Sequence, residues 1–113
     1  MDKKHYSIHL SEIEPIEGAA GRVYQLLNNE FMVVGRVLLE PGRVHPPKSH
    51  DNEEECFFIL AGEGVVTLDS EDIPVTAGSF VYIPRGTVHS VKNSGAGPLE
   101  YIFFGAFQGE RHP

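Results

Sequence analysis

Cys56-Phe57-Phe58-Ile59-Leu60-Ala61 runs into Gly62-Glu63-Gly64 and then into Val65-Val66-Thr67-Leu68. Both outer runs are rich in aromatic and β-branched side chains, and the Gly-x-Gly between them reads as a hairpin turn. No helix follows the two glycines, so they do not read as a phosphate-binding loop. Side chains alternate along a strand, so Phe57, Phe58, Ile59 and Leu60 cannot all face one interior. If Phe57 and Ile59 point inward, Phe58 and Leu60 need a second cover, from another sheet layer or a subunit interface. Tyr101-Ile102-Phe103-Phe104 has the same two-faced character, and a homodimer is the expectation.

Working outward, the same kind of run recurs. Val23 to Leu27, Phe31 to Leu39, Ile73 to Val75, Phe80 to Ile83, Val88 to Val91 and Leu99 to Phe107 all read as strands, with Gly35 a possible bulge. The breaks fall at Glu40-Pro41-Gly42, Asp69 to Asp72, Ala77-Gly78, Pro84-Arg85-Gly86 and Asn93 to Pro98. No stretch keeps a helical apolar period for three turns without meeting Gly or Pro. Strands at this spacing predict an all-β sandwich or barrel. The first twenty residues read differently: Ile8, Leu10, Ile13 and Ile16 suit an arm against a sheet edge, with Gly18 to Gly21 as a flexible joint. The expected organisation is one domain over 1–113, an arm over 1–21 and a barrel over 22–108.

Composition narrows the function classes. At 113 residues there is room for one ordinary domain, and 41% apolar with 22% charged residues is globular rather than disordered. Nine Lys and Arg against 16 Asp and Glu leave a formal charge of -7, which repels phosphate backbones and argues against nucleic acid as a partner. No apolar run approaches the roughly 20 residues of a membrane helix. Met1-Asp2-Lys3-Lys4-His5-Tyr6 has no long apolar segment behind it and does not read as a secretory signal. The single Cys56 excludes an intrachain disulfide and a Cys-based zinc site, and it suits a reducing cytoplasm.

The chemistry is carried by histidines and acids. His5, His9 and His112 lie near the termini and are expected to be solvated. His50 precedes Asp51, Glu53, Glu54 and Glu55, and Glu55 abuts a hydrophobic strand that would hold it rigidly. His89 follows a Pro-x-Gly turn. Two imidazoles and a carboxylate on adjacent strands would make a facial triad for a divalent transition metal. Against that stands the bland alternative, a histidine hydrogen-bonded at the surface beside a solvated acidic loop, which is how Asp51, Glu53 and Glu54 read.

Gly42, five residues, Lys48, one residue, His50, four residues, Glu55, six residues, Gly62: this spacing over 42–62 resembles the first motif of the cupin superfamily. Gly78, five residues, Pro84, one residue, Gly86, two residues, His89, three residues, Asn93 matches the second motif over 78–93. The resemblance implies a double-stranded β-helix, or jelly-roll β-barrel, with a divalent metal (Fe, Mn, Zn or Ni) inside. The metal ligands it implies here are His50, Glu55 and His89. Lys48 occupies the position of the family's first histidine and is a poor ligand.

Four readings of Lys48 compete. It could anchor an anionic substrate, or act as a base, beside an open 2-His-1-Glu metal site. His45 could replace it as a ligand through a bend at Pro46-Pro47, although strict alternation places 46, 48 and 50 on one face and turns His45 away. It could pair with Glu55 in a metal-free barrel, or lie on the rim. The expected partner is a small polar or anionic molecule, with Lys48 as the catalytic candidate. The chain would then be a metal-dependent oxygenase, isomerase, lyase or decarboxylase. The alternatives are a non-catalytic sensor or sugar-binding module and a metal-free structural barrel. Among weaker candidates, Cys56 should point away from Glu55 and pack. Tyr82, Tyr101 and Phe103 are core residues that could line a pocket. Arg36 and Arg85 read as surface charge, and Asn93 serves a turn.

Overall fold

Residues 6–19 and 21–108 are described by a computed structural model, and their strands form two antiparallel sheets around one shared core. In chain order the strands are β1 (Ile16–Gly18), β2 (Gly21–Asn28), β3 (Met32–Leu39), β4 (Val44–Lys48), β5 (Glu53–Ala61), β6 (Glu63–Leu68), β7 (Glu71–Thr76), β8 (Phe80–Ile83), β9 (His89–Asn93) and β10 (Leu99–Phe107). One sheet runs β1-β2-β3-β10-β5-β8 and the other β4-β9-β6-β7. The chain crosses repeatedly between the sheets, which is the double-stranded β-helix, or jelly-roll, plan. His5 and His112 lie outside the described residues.

The two-faced strands divide as alternation requires. Phe57 and Ile59 are buried, while Phe58 and Leu60 face outward. The inward set continues through Val37, Leu39, Val66, Val75, Val81, Ile83, Val91, Leu99 and Tyr101. The core therefore draws on both sheets, and burial of this set supplies the main drive to close the barrel. On the outer face of β10, β5 and β8, Phe58, Leu60, Phe80, Tyr82 and Phe104 remain exposed.

Several details correct the reading of the sequence. Gly62 does not close a hairpin: β5 pairs with β10 and β8, whereas β6 pairs with β7 and β9. It is the corner where the chain leaves one sheet for the other. It takes φ +90°, and a Cβ there would run into the Pro98 carbonyl oxygen, so only glycine fits. Gly35 is no bulge either. It stays in register between Gln25 and Phe103, and its bare face seats the Phe103 ring. The irregularity in the β2–β3 pair lies at Gln25/Leu27 instead.

Near the start, β1 pairs with β2, with Gly18 opposite Gly21 in the register. Arg43 Nη2 donates to the Gly18 carbonyl at 2.9 Å. His9 caps a 3-10 turn at Leu10–Glu12 by accepting a hydrogen bond from the Ser11 N–H. β5 also begins three residues before the apolar run: Glu53, Glu54 and Glu55 belong to the strand.

Candidate metal and ligand site

The placement of the site begins with an extra residue in β4. His45 pairs with Val91, yet Lys48 pairs with His89, so three steps along β4 match two along β9. Residues directly opposite each other in an antiparallel pair share a face. Val91 and His89 are two apart and both buried, so His45 and Lys48 face the interior together. Strict alternation from Lys48 would have turned His45 outward. The bulge at Pro46-Pro47 reverses that parity, because neither proline can donate to the ladder there.

A second correction concerns Glu53. The acidic run after His50 reads as solvated loop, but Glu53 is 9% exposed and shares the inner face with Glu55, Phe57 and Ile59. Alternation back from Glu55 was the available signal. The strand start was hidden because three consecutive acids resemble a loop. The Glu53 carboxylate lies against Gly105, where a Cβ would overlap its Oε2. Glu54 points the other way and accepts a hydrogen bond from the Tyr82 hydroxyl.

Between the sheets is a cavity of about 220 Å³ lined by His45, Lys48, His50, Glu53, Glu55 and His89, with apolar walls that include Phe57, Tyr101 and Phe103. His50, Glu53 and Glu55 each offer a ligand atom within 4.8 Å of the others. His50 Nε2 is 3.7 Å from Glu53 Oε1, and His89 Nε2 is 3.1 Å from Glu55 Oε1. Metal donors stand about 2.0–2.2 Å from an ion, so modest side-chain rotation would draw this group onto one. The chemistry of the set fits a divalent transition metal, since it combines imidazole nitrogens with carboxylates. His89 Nδ1 also lies 3.4 Å from the Thr87 carbonyl, the kind of partner that orients a metal-binding imidazole through its other nitrogen.

The imidazoles are biased in opposite directions. Burial works to lower the His89 pKa, but the hydrogen bond and charge of Glu55, with help from Thr87 and Glu53, hold it above the ordinary imidazole value. His45 is pushed down by burial and by the neighbouring charges of Lys48 and His89. The stability signs follow. His89 contributes stability that is fully present below its unfolded value of about 6.5 and is lost as pH rises through the raised folded value. His45 does the reverse: its contribution is present above about 6.5 and is lost as pH falls toward its lowered folded value. A proton NMR titration of the metal-free protein should place the His89 midpoint above about 6.5 and that of His45 below it. The opposite order would refute this account of the cavity.

Other residues singled out from the sequence fall elsewhere. Tyr101 and Phe103 do line the cavity, and burial drives the Tyr101 phenol pKa upward. Tyr82 and Cys56 flank an apolar groove on the outer face. Arg36 forms an ion pair with Glu100, and Arg85 donates to Gln108 Oε1 at 2.6 Å. Asn93 is buried to 1% exposure and ties loop to strand. No helix among the described residues is long and apolar enough to cross a membrane.

A jelly-roll barrel with imidazoles and carboxylates gathered in its cavity defines the class. The cupin domain family matches residues 35–105, and the chain belongs to that family. It is 32% identical over 78 residues to the oxalate-binding protein of Thermotoga maritima, a match covering 69% of this chain and 64% of that protein. It is 34% identical over 92 residues to the mannose-1-phosphate guanylyltransferase of Klebsiella pneumoniae, covering 80% of this chain and 20% of that enzyme. The match thus spans less than two thirds of either relative. Among solved structures, a predicted oxalate decarboxylase from Thermotoga maritima superposes with a TM-score of 0.84 at 27% identity, covering 90% of this chain and 99% of that one. An RmlC-like cupin from Shewanella frigidimarina gives 0.81 at 15% identity, with 91% of each chain covered, a likeness of fold alone.

Proposed function

We propose that this cupin holds a divalent transition metal with His50, Glu55 and His89, assisted by Glu53, and binds a small anionic organic molecule beside it through Lys48. The observation that carries the reading is convergence: these five side chains come from β4, β5, β9 and the loop at His50, yet they line one cavity. Lys48 sits opposite His89 across the β4–β9 pair, so its ammonium can reach a carboxylate presented to the metal. A bound metal would supply Lewis acidity toward that carboxylate. The chain's own residues would orient the acid and exclude water. The oxalate-related names given to Thermotoga maritima matches, an oxalate-binding protein and a predicted oxalate decarboxylase, make a short carboxylate the ligand to test first.

The test is elemental analysis of anaerobically purified protein, followed by titration with Fe(II), Mn(II), Zn(II) and Ni(II), with Lys48→His alongside. Metal uptake by both proteins, and acid binding by the parent alone, supports the reading. No uptake by the parent, but uptake by Lys48→His, would mean that Lys48 has switched the site off.

Gly105→Ala provides an internal check. A methyl at 105 would displace the Glu53 carboxylate. Metal affinity should fall about tenfold, in the range seen when a supporting group is lost. Glu53→Gln should lose a similar factor, and the double variant should lose little more, because both changes act on one carboxylate. Fully additive losses would count against Glu53 as the group affected.

The exposed aromatic face on β10, β5 and β8 is read as the contact with a second copy. Light scattering should then give a dimer mass, and Phe80→Asp, on an edge strand, should shift it toward monomer.

A further inference from the structure

Among the described residues lining the cavity, His45 carries a polar group that the metal reading does not use. His45 Nδ1 is buried and makes no hydrogen bond of good geometry, although the Pro46 backbone lies close enough to act on the ring. Buried polar groups in folded proteins are almost always paired, so one left open toward a cavity is completed by a water, an ion or a ligand atom. His45, like His89, stands outside the compact His50, Glu53 and Glu55 cluster. It pairs with Val91, further along β9 than the His89–Lys48 pair. Its ring stacks on that of His89, with centroids 6.4 Å apart and planes 16° apart, which fixes its orientation. Lys48 and His45 therefore project from one face at a short spacing. The cavity, about 220 Å³, falls below the roughly 300–1,000 Å³ of a drug-sized ligand site and suits a small molecule.

We propose that His45 is a specificity-determining residue of this cavity, reading a hydroxyl or carbonyl oxygen of a short hydroxy- or oxo-carboxylate whose carboxylate is held by Lys48. This rests on the reading of the cavity as a site for a small anion. An imidazole ring nitrogen can hydrogen-bond an alcohol or carbonyl oxygen, and at 45 it does so from the same face as Lys48. A site built to hydrogen-bond such a group discriminates against the analogue that lacks it, because its own buried polar atom is then left unpaired. The apolar walls from Phe57, Tyr101 and Phe103 suit the short carbon chain between the two polar ends.

The experiment measures binding of lactate, pyruvate and propionate to metal-loaded protein by calorimetry, with metal content determined on the same samples. The parent should bind lactate or pyruvate at least tenfold more tightly than propionate. His45→Phe should remove that preference while keeping its metal, and His45→Gln, whose amide retains a donor and an acceptor, should restore part of it. The proposal is overturned if the parent binds propionate as tightly as the oxygenated acids, or if His45→Phe keeps the preference. It is also overturned if His45→Phe loses its metal, since His45 would then be a metal ligand. If the parent binds none of the three acids, the small-anion reading falls along with it. If the acids bind without preference, only the role of His45 falls.

Discussion

His50→Ala should weaken metal binding by about 100-fold or more. The apparent binding free energy of a four-ligand site is about 10–16 kcal/mol, so one ligand carries about 3 kcal/mol, which is about two orders of magnitude. His50 is a suitable target because its ring is partly exposed, so its removal leaves the core of buried aliphatic and aromatic residues intact. The loss should therefore appear in metal titration with little change in the unfolding midpoint of the metal-free protein. Glu55→Gln should lose a comparable factor and should also release His89 from its carboxylate partner, lowering the His89 titration midpoint. His9→Ala serves as a control, since His9 only caps an exposed turn. Wild-type affinity in His50→Ala would remove His50 from the ligand set and with it the proposed site.

Asn93→Ala should be among the most destabilising single substitutions away from the apolar core, at about 3 kcal/mol or more. Its Nδ2 donates to the Leu39 carbonyl at 2.8 Å and to the Gly97 carbonyl at 2.9 Å, while its Oδ1 accepts from the Gly95 N–H at 2.9 Å. Alanine would strand the buried Leu39 carbonyl, at about 1–3 kcal/mol, and would lose the two part-buried bonds to Gly95 and Gly97, each about 1 kcal/mol. Asn93→Asp keeps the acceptor for Gly95 but turns a carboxylate toward two carbonyl oxygens. It should be at least as damaging at neutral pH and should partly recover in acid, where a protonated carboxyl regains one donor. Urea unfolding of the three proteins checks this, and a loss below about 0.5 kcal/mol in Asn93→Ala would show that the loop relaxes to other partners.

Legibility in the sequence differed by element. β10 was readable to its ends, because Leu99 to Phe107 is an uninterrupted β-rich run bounded by a Pro-containing loop and a polar tail. β4 was missed as a strand, because Val44–Lys48 carries two prolines, and proline is ordinarily evidence against a ladder. At the site, His50, Glu55 and His89 stood out through spacing alone, and all three line the cavity. Glu53 did not stand out, because charge density outweighed its alternation with Glu55. The face of His45 stayed open, because parity counted from Lys48 assumes a regular strand and Pro46-Pro47 interrupts it.

The sequence by itself determined the all-β class and the family, and it singled out the residues on which metal chemistry would rest. These are local properties: side-chain alternation, turn residues and the spacing of Gly, Pro, His and Glu along the chain. Only the tertiary structure decided that Gly62 is a corner between sheets, that Glu53 belongs to the cavity and that His45 faces the same interior as Lys48. Each of these depends on which strands pair and in what register, a non-local choice. A single extra residue at Pro46-Pro47 is enough to reverse the parity that alternation predicts.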